Sequence, residues 1–171
     1  MGDLLPLIIR AVIIAAIVIS VIVVGEQLTS GSKAEAAVSQ ITDIATNIQK
    51  AYDGQADYSN LSCSTGGCTA LIAQKAIPSN LVDSTGNLGT DGWGGNISIA
   101  ESASNSSQMT ISYSSLGQAS CIKVAEGVGG YDDLAINGTD FIPGSSPVTP
   151  TSAATACTTG YTNTLAFTFG K

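Results

Sequence analysis

Residues 4–24 read LLPLIIRAVIIAAIVISVIVV, an apolar run with a single charge, Arg10, and a single hydroxyl, Ser20. Wound as an α-helix at ~1.5 Å per residue, the run spans about 32 Å, the thickness of a bilayer's hydrocarbon core. Pro6 falls near the helix start, where its missing N–H costs little. A cleavable secretory signal places positive charge ahead of a shorter apolar core, whereas this chain opens Met-Gly-Asp. The run also passes without a loop into a second helical pattern, so a retained anchor is expected in place of a removed signal.

Past Gly25 the sequence turns polar but keeps the helical period. Val38, Ile41, Ile44, Ala45, Ile48 and Tyr52 recur every three or four residues and define one face. Lys33, Glu35, Ser39, Asp43, Asn47 and Lys50 fall largely on the others, and Asp53-Gly54 supplies a stop. The pattern predicts one helix of about 50 residues, roughly 75 Å long. Its first half needs lipid or protein on every side; its second needs a domain on one side. The chain thus divides into a hydrophobic helix half (1–25), an amphipathic half (26–54) and a globular head (55–171). A single-pass anchor carrying an extracytoplasmic receptor or adhesin shares this periodicity, but the halves lack the flexible linker such an anchor would have.

Composition narrows the function. The chain has 171 residues, a formal net charge of −7 and only 11% charged residues. Its few Lys and Arg are scattered, against the clustered cationic face that direct nucleic-acid binding requires. With no histidine, the commonest general base and transition-metal ligand is missing. Asp132 and Asp133 in GGYDDLAING are the nearest thing to a catalytic pair. Adjacent side chains point apart and no nucleophile lies nearby, so no catalytic residue is assigned. Their spacing matches no calcium loop either, and neither a metal site nor a cofactor is expected. Asn-x-Ser/Thr triplets at Asn60, Asn96, Asn105 and Asn137 are what chance gives in so Ser/Thr-rich a chain.

The four cysteines are Cys63, Cys68, Cys121 and Cys157. An even count in a polar chain with an apolar N-terminal run favours disulfides in an oxidising compartment, with three pairings open. Cys-x4-Cys without histidine fits zinc poorly.

In the head, Thr69–Ala76 (TALIAQKA) reads as a short helix ended by Pro78. Gly86–Gly95 (GNLGTDGWGG) reads as a loop holding the only tryptophan, Trp93. Residues 96–100 (NISIA), 109–113 (MTISY) and 163–169 (NTLAFTF) alternate as half-buried strands do. Residues 121–125 (CIKVA) suit a short helix or a third strand, and residues 127–156, with Pro143, Pro147 and Pro150, read as loop-rich. The fold class is α+β, a long N-terminal helix packed on a small antiparallel sheet.

Taken together the residues resemble the type IV pilins, and within them the type IVb branch. The general likeness is the apolar opening that runs into a long amphipathic helix. AYDGQADYSNLS is similar to the family's helix exit, and ALIAQKAIPSNLV to its second short helix and following proline. DGWGGNISI resembles the tryptophan-glycine turn into the first strand. MTISYSSLGQASCIKV resembles the next strand and the first cysteine of a disulfide-bounded region, and ATACTTGYTNTLAFTF the second cysteine and closing strand. Met1 fits the first residue of a processed subunit.

The resemblance implies a Cys121–Cys157 bridge stabilising the C-terminal region; a Cys63–Cys68 bridge would only pin the tight local turn SCSTGGC. It also implies a prepilin trimmed by a dedicated peptidase, often N-methylated, held in the inner membrane and then polymerised by assembly machinery into an extracellular filament. A minor tip adhesin is a further possible partner. Within such a fibre Leu4, Leu5, Leu7, Ile8, Ile9, Val12 and Ile13 would pack at the centre. Ile14, Ile17, Val21 and Val24 would continue that packing. Conjugation, adhesion, aggregation and twitching all use such subunits, and the N-terminal pattern leans toward conjugation. A minor pilin or a secretion-system pseudopilin shares the plan, although its C-terminal region more often uses calcium than cysteines.

Two departures stand out. The family's glutamate near the helix start is absent: Leu5 and Pro6 occupy that region, and Asp3 is the only early carboxylate. Arg10 places a cation where the fibre core is apolar, and an unpaired buried charge costs several kcal/mol. Asp3 is therefore expected to replace the glutamate and to pair across subunits with Arg10 or with the N-terminal amine. Snorkelling of Arg10 to the membrane interface before assembly is the simpler alternative. No Gly or Pro interrupts residues 7–24, so a continuous helix is expected there, with Gly25 its weakest point.

Overall fold

The computed structural model describes residues 31–171. It opens with helix α1 over residues 31–51. Strand β1 (Ser62–Ser64), helix α2 (Thr69–Ala73) and a 3-10 turn (Ser79–Leu81) follow. Next come β2 (Ile97–Glu101), β3 (Gln108–Leu116), α3 (Gln118–Gly127), β4 (Asp133–Ile136), β5 (Thr139–Phe141), α4 (Pro150–Ala156) and β6 (Asn163–Gly170). Among these residues no helix is long and apolar enough to cross a membrane. Residues 4–24, the expected continuity of their helix and the weak point at Gly25 lie outside the described residues.

The six strands form one antiparallel sheet in the order β1-β2-β3-β6-β4-β5. The last strand is therefore central, pairing Tyr113 with Leu165 on one side and Ile136 with Leu165 on the other. Alternation decides its faces: Leu165, Phe167 and Phe169 are buried, while Thr164 is exposed and Ala166 and Thr168 are half-buried. One sheet face and the apolar stripe of α1 share a continuous core. Ile41, Ile44 and Ile48 meet there with Ile97, Ile99, Met109, Ile111 and Phe167, all fully buried.

The structure refines two expectations. The loop-rich residues 127–156 also hold the β4–β5 hairpin and α4. The hairpin turns on Asn137-Gly138, with Ile136 paired to Thr139 and both turn residues at positive φ (52° and 84°). That is the geometry for which Asn-Gly is preferred in two-residue hairpins. Helix α4 starts on a capping box, Thr149 with Ser152, and Pro150 occupies its first turn, where its fixed φ suits the helix. The prolines thus mark an element start as well as loop. Residues 121–125 are helical, not a strand, because Cys121, Val124, Ala125 and Val128 share a buried face at helical spacing.

Candidate assembly site

Of the residues expected to seat α1, Ile41, Ile44, Ala45 and Ile48 are buried, and Val38 and Tyr52 are half-buried against the core. Ala34 and Ala37 are buried as well; alanine's small, weakly apolar side chain gave them no prominence in the sequence. They let α1 lie close to its neighbours. Gly127, at the end of α3, has no room for a side chain: a Cβ there would come 2.7 Å from Cγ2 of Val38. Met1, Asp3, Arg10 and residues 4–24 lie outside the described residues.

Between α1 and α3 runs an open groove of about 430 Å³, lined by Ala34, Glu35, Val38, Lys123, Glu126 and Gly127. The two alanine and valine side chains and Gly127 make an apolar floor; Glu35, Glu126 and Lys123 stand exposed at the rim. The Lys123 ammonium lies against α1 near Gly31, where an added Cβ would be 3.2 Å from Nζ.

The tryptophan turn fastens the head to the same helix. Oδ1 of Asp91 accepts from the backbone N–H of Trp93 (2.9 Å) and of Gly95 (2.7 Å). Gly95 admits no Cβ, which would collide with the Ser114 carbonyl. Asp91 is buried, its Oδ2 has no protein partner, and the same holds for the Tyr113 hydroxyl and Trp93 Nε1. Burial pushes the Asp91 carboxyl above the usual carboxylate range, opposed by the amide bonds and by Lys33 on α1. Burial, with Asp91 adding repulsion, likewise raises the Tyr113 phenol. The stem of Lys33 lies over Gly92.

The C-terminal region is held by two devices. Cys121 is joined to Cys157, tying α3 to α4 across a Cα separation of 6.0 Å. Cys63 is joined to Cys68, with Cα atoms 5.0 Å apart, pinning edge strand β1 to the turn before α2. The second device, a side-chain network around Asn163, was not visible in the sequence. Fully buried Asn163 donates to the carbonyls of Leu116 and Thr158, both at 2.9 Å. Its Oδ1 accepts from the Thr158 amide (2.7 Å) and from Asn137 Nδ2 (2.8 Å). Asn137 also donates to the Ala156 carbonyl (2.9 Å), and Gln118 to that of Cys157 (2.9 Å). Asn137 was notable in the sequence only as a chance triplet; Asn-Gly between alternating residues was its real signal.

The acidic pair forms no reactive centre. Oδ2 of Asp132 accepts from Gln108 (3.0 Å), while the Asp133 carboxyl is raised by burial and then by Asp140. Among the described residues no group of three or more His, Cys, Asp or Glu is placed to hold a metal.

A sequence profile described as PilS N terminal matches residues 31–170. The chain is 25% identical over 147 residues to the major structural subunit of bundle-forming pilus from Escherichia coli O127:H6 (strain E2348/69 / EPEC), covering 77% of this chain and 74% of that one. The corresponding subunit from Escherichia coli O111:H- is 26% identical over the same shares. The crystal structure of a type IV b pilin from Salmonella typhi superposes with a TM-score of 0.56 at 22% identity, over 78% of this chain and 99% of that one. TcpA, a type IV pilin from Vibrio cholerae El Tor biotype, superposes with a TM-score of 0.57 at 14% identity, over 80% and 98%. The helix-on-sheet head with its C-terminal disulfide is the type IV pilin fold. The chain belongs to the PilS N terminal family, and its head has the type IV pilin fold.

Proposed function

We propose that this pilin is the structural subunit of an extracellular type IV pilus, a homopolymer with residues 4–24 bundled at the fibre centre and residues 55–171 outside. The observation that carries this is α1. One face of it is sealed by the head, and in sequence it continues into a run that is apolar on every side. Such a run needs lipid before assembly and other copies of itself afterwards. Relatives named as major structural subunits of bundle-forming pilus support the reading.

In this reading the subunit waits in the inner membrane, is trimmed by the prepilin peptidase, and is extruded by the pilus assembly machinery. A minor tip adhesin completes the fibre, whose use leans toward conjugation. Asp3 takes the place of the missing glutamate, with the N-terminal amine or Arg10 of a neighbour as its partner. Shearing the surface fraction from producing cells and imaging it by cryo-electron microscopy tests the proposal. Thin helical fibres with residues 4–24 at the axis are expected. A monomer that stays in the inner membrane sinks it in favour of an anchored receptor.

A further inference from the structure

The groove between α1 and α3 has two features that together specify an occupant. Its floor of Ala34, Val38 and Gly127 is apolar and open. Its rim carries two exposed carboxylates, Glu35 and Glu126, against one ammonium, Lys123, which lies toward Gly31. The groove therefore suits an apolar rod bearing an isolated positive charge. Outside the described residues this chain has one segment of that chemistry: residues 4–24, apolar throughout except for Arg10.

We propose that the groove receives residues 4–24 of a second copy of this chain, seated so that Arg10 faces Glu35 and Glu126. The seat rests on the filament reading above and names the partner surface in it. A charge in an apolar bundle must be neutralised or kept in contact with water. Here the rim does both: it holds a net negative charge and remains open. Residues 10 and 35 are 25 positions apart, about 37 Å along a continuous helix at ~1.5 Å per residue. On the continuous helix expected from the sequence, Arg10 does not reach Glu35 of its own chain. Two parallel copies displaced by that length place one copy's Arg10 beside the other's Glu35. Asp3 is then left to the N-terminal amine.

Carbodiimide coupling of fibres from an Arg10→Lys variant tests the contact directly, because the introduced amine condenses only with a carboxylate it touches. The expected result is an SDS-resistant ladder whose linked peptides join position 10 to Glu35 or Glu126, the multimeric bands themselves showing that the links are intersubunit. Fibres that form but couple position 10 to Asp3, or to nothing, overturn the seat while leaving the filament reading intact. A wild-type preparation without fibres overturns both. Charge exchange gives a second readout. Arg10→Glu, and separately Glu35→Arg with Glu126→Arg, should each cut fibre yield about tenfold through like-charge contact. All three together should restore it. Heads that still form the Cys121–Cys157 bridge on a non-reducing gel, yet show no restoration, count against the pairing.

Discussion

At the scale of single residues, Asp91 and Asn163 show opposite ways of burying a polar group. Asp91 satisfies one carboxylate oxygen with two backbone amides and leaves the other without a protein partner. Burial raises its folded pKa above the ordinary value of 3.8. The folded state therefore holds the proton more tightly than the unfolded chain. The resulting stabilisation is complete below 3.8 and is lost as pH rises through the raised value. Asp91→Asn keeps the acceptor for Trp93 and Gly95 but removes the charge. Urea midpoints of the two proteins at pH 4 and pH 7 check this: the variant should gain relative to wild type at the higher pH. A constant difference between them would refute the burial argument. Asn163 is instead fully engaged, and Asn163→Ala strands the carbonyls of Leu116 and Thr158 together with the Thr158 amide. Loss of a buried network of this kind costs about 3 kcal/mol, measurable as a lowered urea midpoint at constant slope.

At the scale of elements, the packing of α1 on α3 is set by the absence of a side chain at Gly127. A methyl group there meets Val38 at 2.7 Å, and overpacking of that kind costs about 1–3 kcal/mol. Gly127→Ala should therefore destabilise the head, while the Gly127→Ala and Val38→Ala pair should recover much of the loss. A double-mutant cycle on unfolding free energies measures the coupling; additive effects would mean the helices relax apart freely. The amphipathic helix, the three longest strands and the Trp93 loop were all legible in the sequence, because period and alternation are local properties. The β4–β5 hairpin was legible in principle from Asn137-Gly138. It was obscured by the prolines that follow and by the scarcity of large apolar side chains around it. Helix α3 was ambiguous because five residues, CIKVA, suit either period.

At the scale of the whole molecule, the two disulfides differ in what they constrain. Cys121–Cys157 spans 36 positions and on the chain-entropy account contributes about 4 kcal/mol. Cys63–Cys68 spans 5 and contributes about 2 kcal/mol on the same account. Replacing Cys121 and Cys157 by serine should lower the thermal midpoint more than replacing Cys63 and Cys68, as scanning calorimetry of the two double variants would show. Equal losses would mean that the amides of Asn163, Asn137 and Gln118 hold the region without the bridge. By itself the sequence determined the amphipathic helix, the alternating strands and the oxidised cysteines. Each follows from side-chain periodicity or residue chemistry within a short window. Only the tertiary structure decided that the last strand enters the middle of the sheet, and that residues 127–156 are ordered. It also decided that Glu35 and Glu126 share one groove. These outcomes depend on contacts such as Asn163 to Leu116, 47 positions apart, and no local pattern encodes a hydrogen bond whose two ends meet only after the chain has folded.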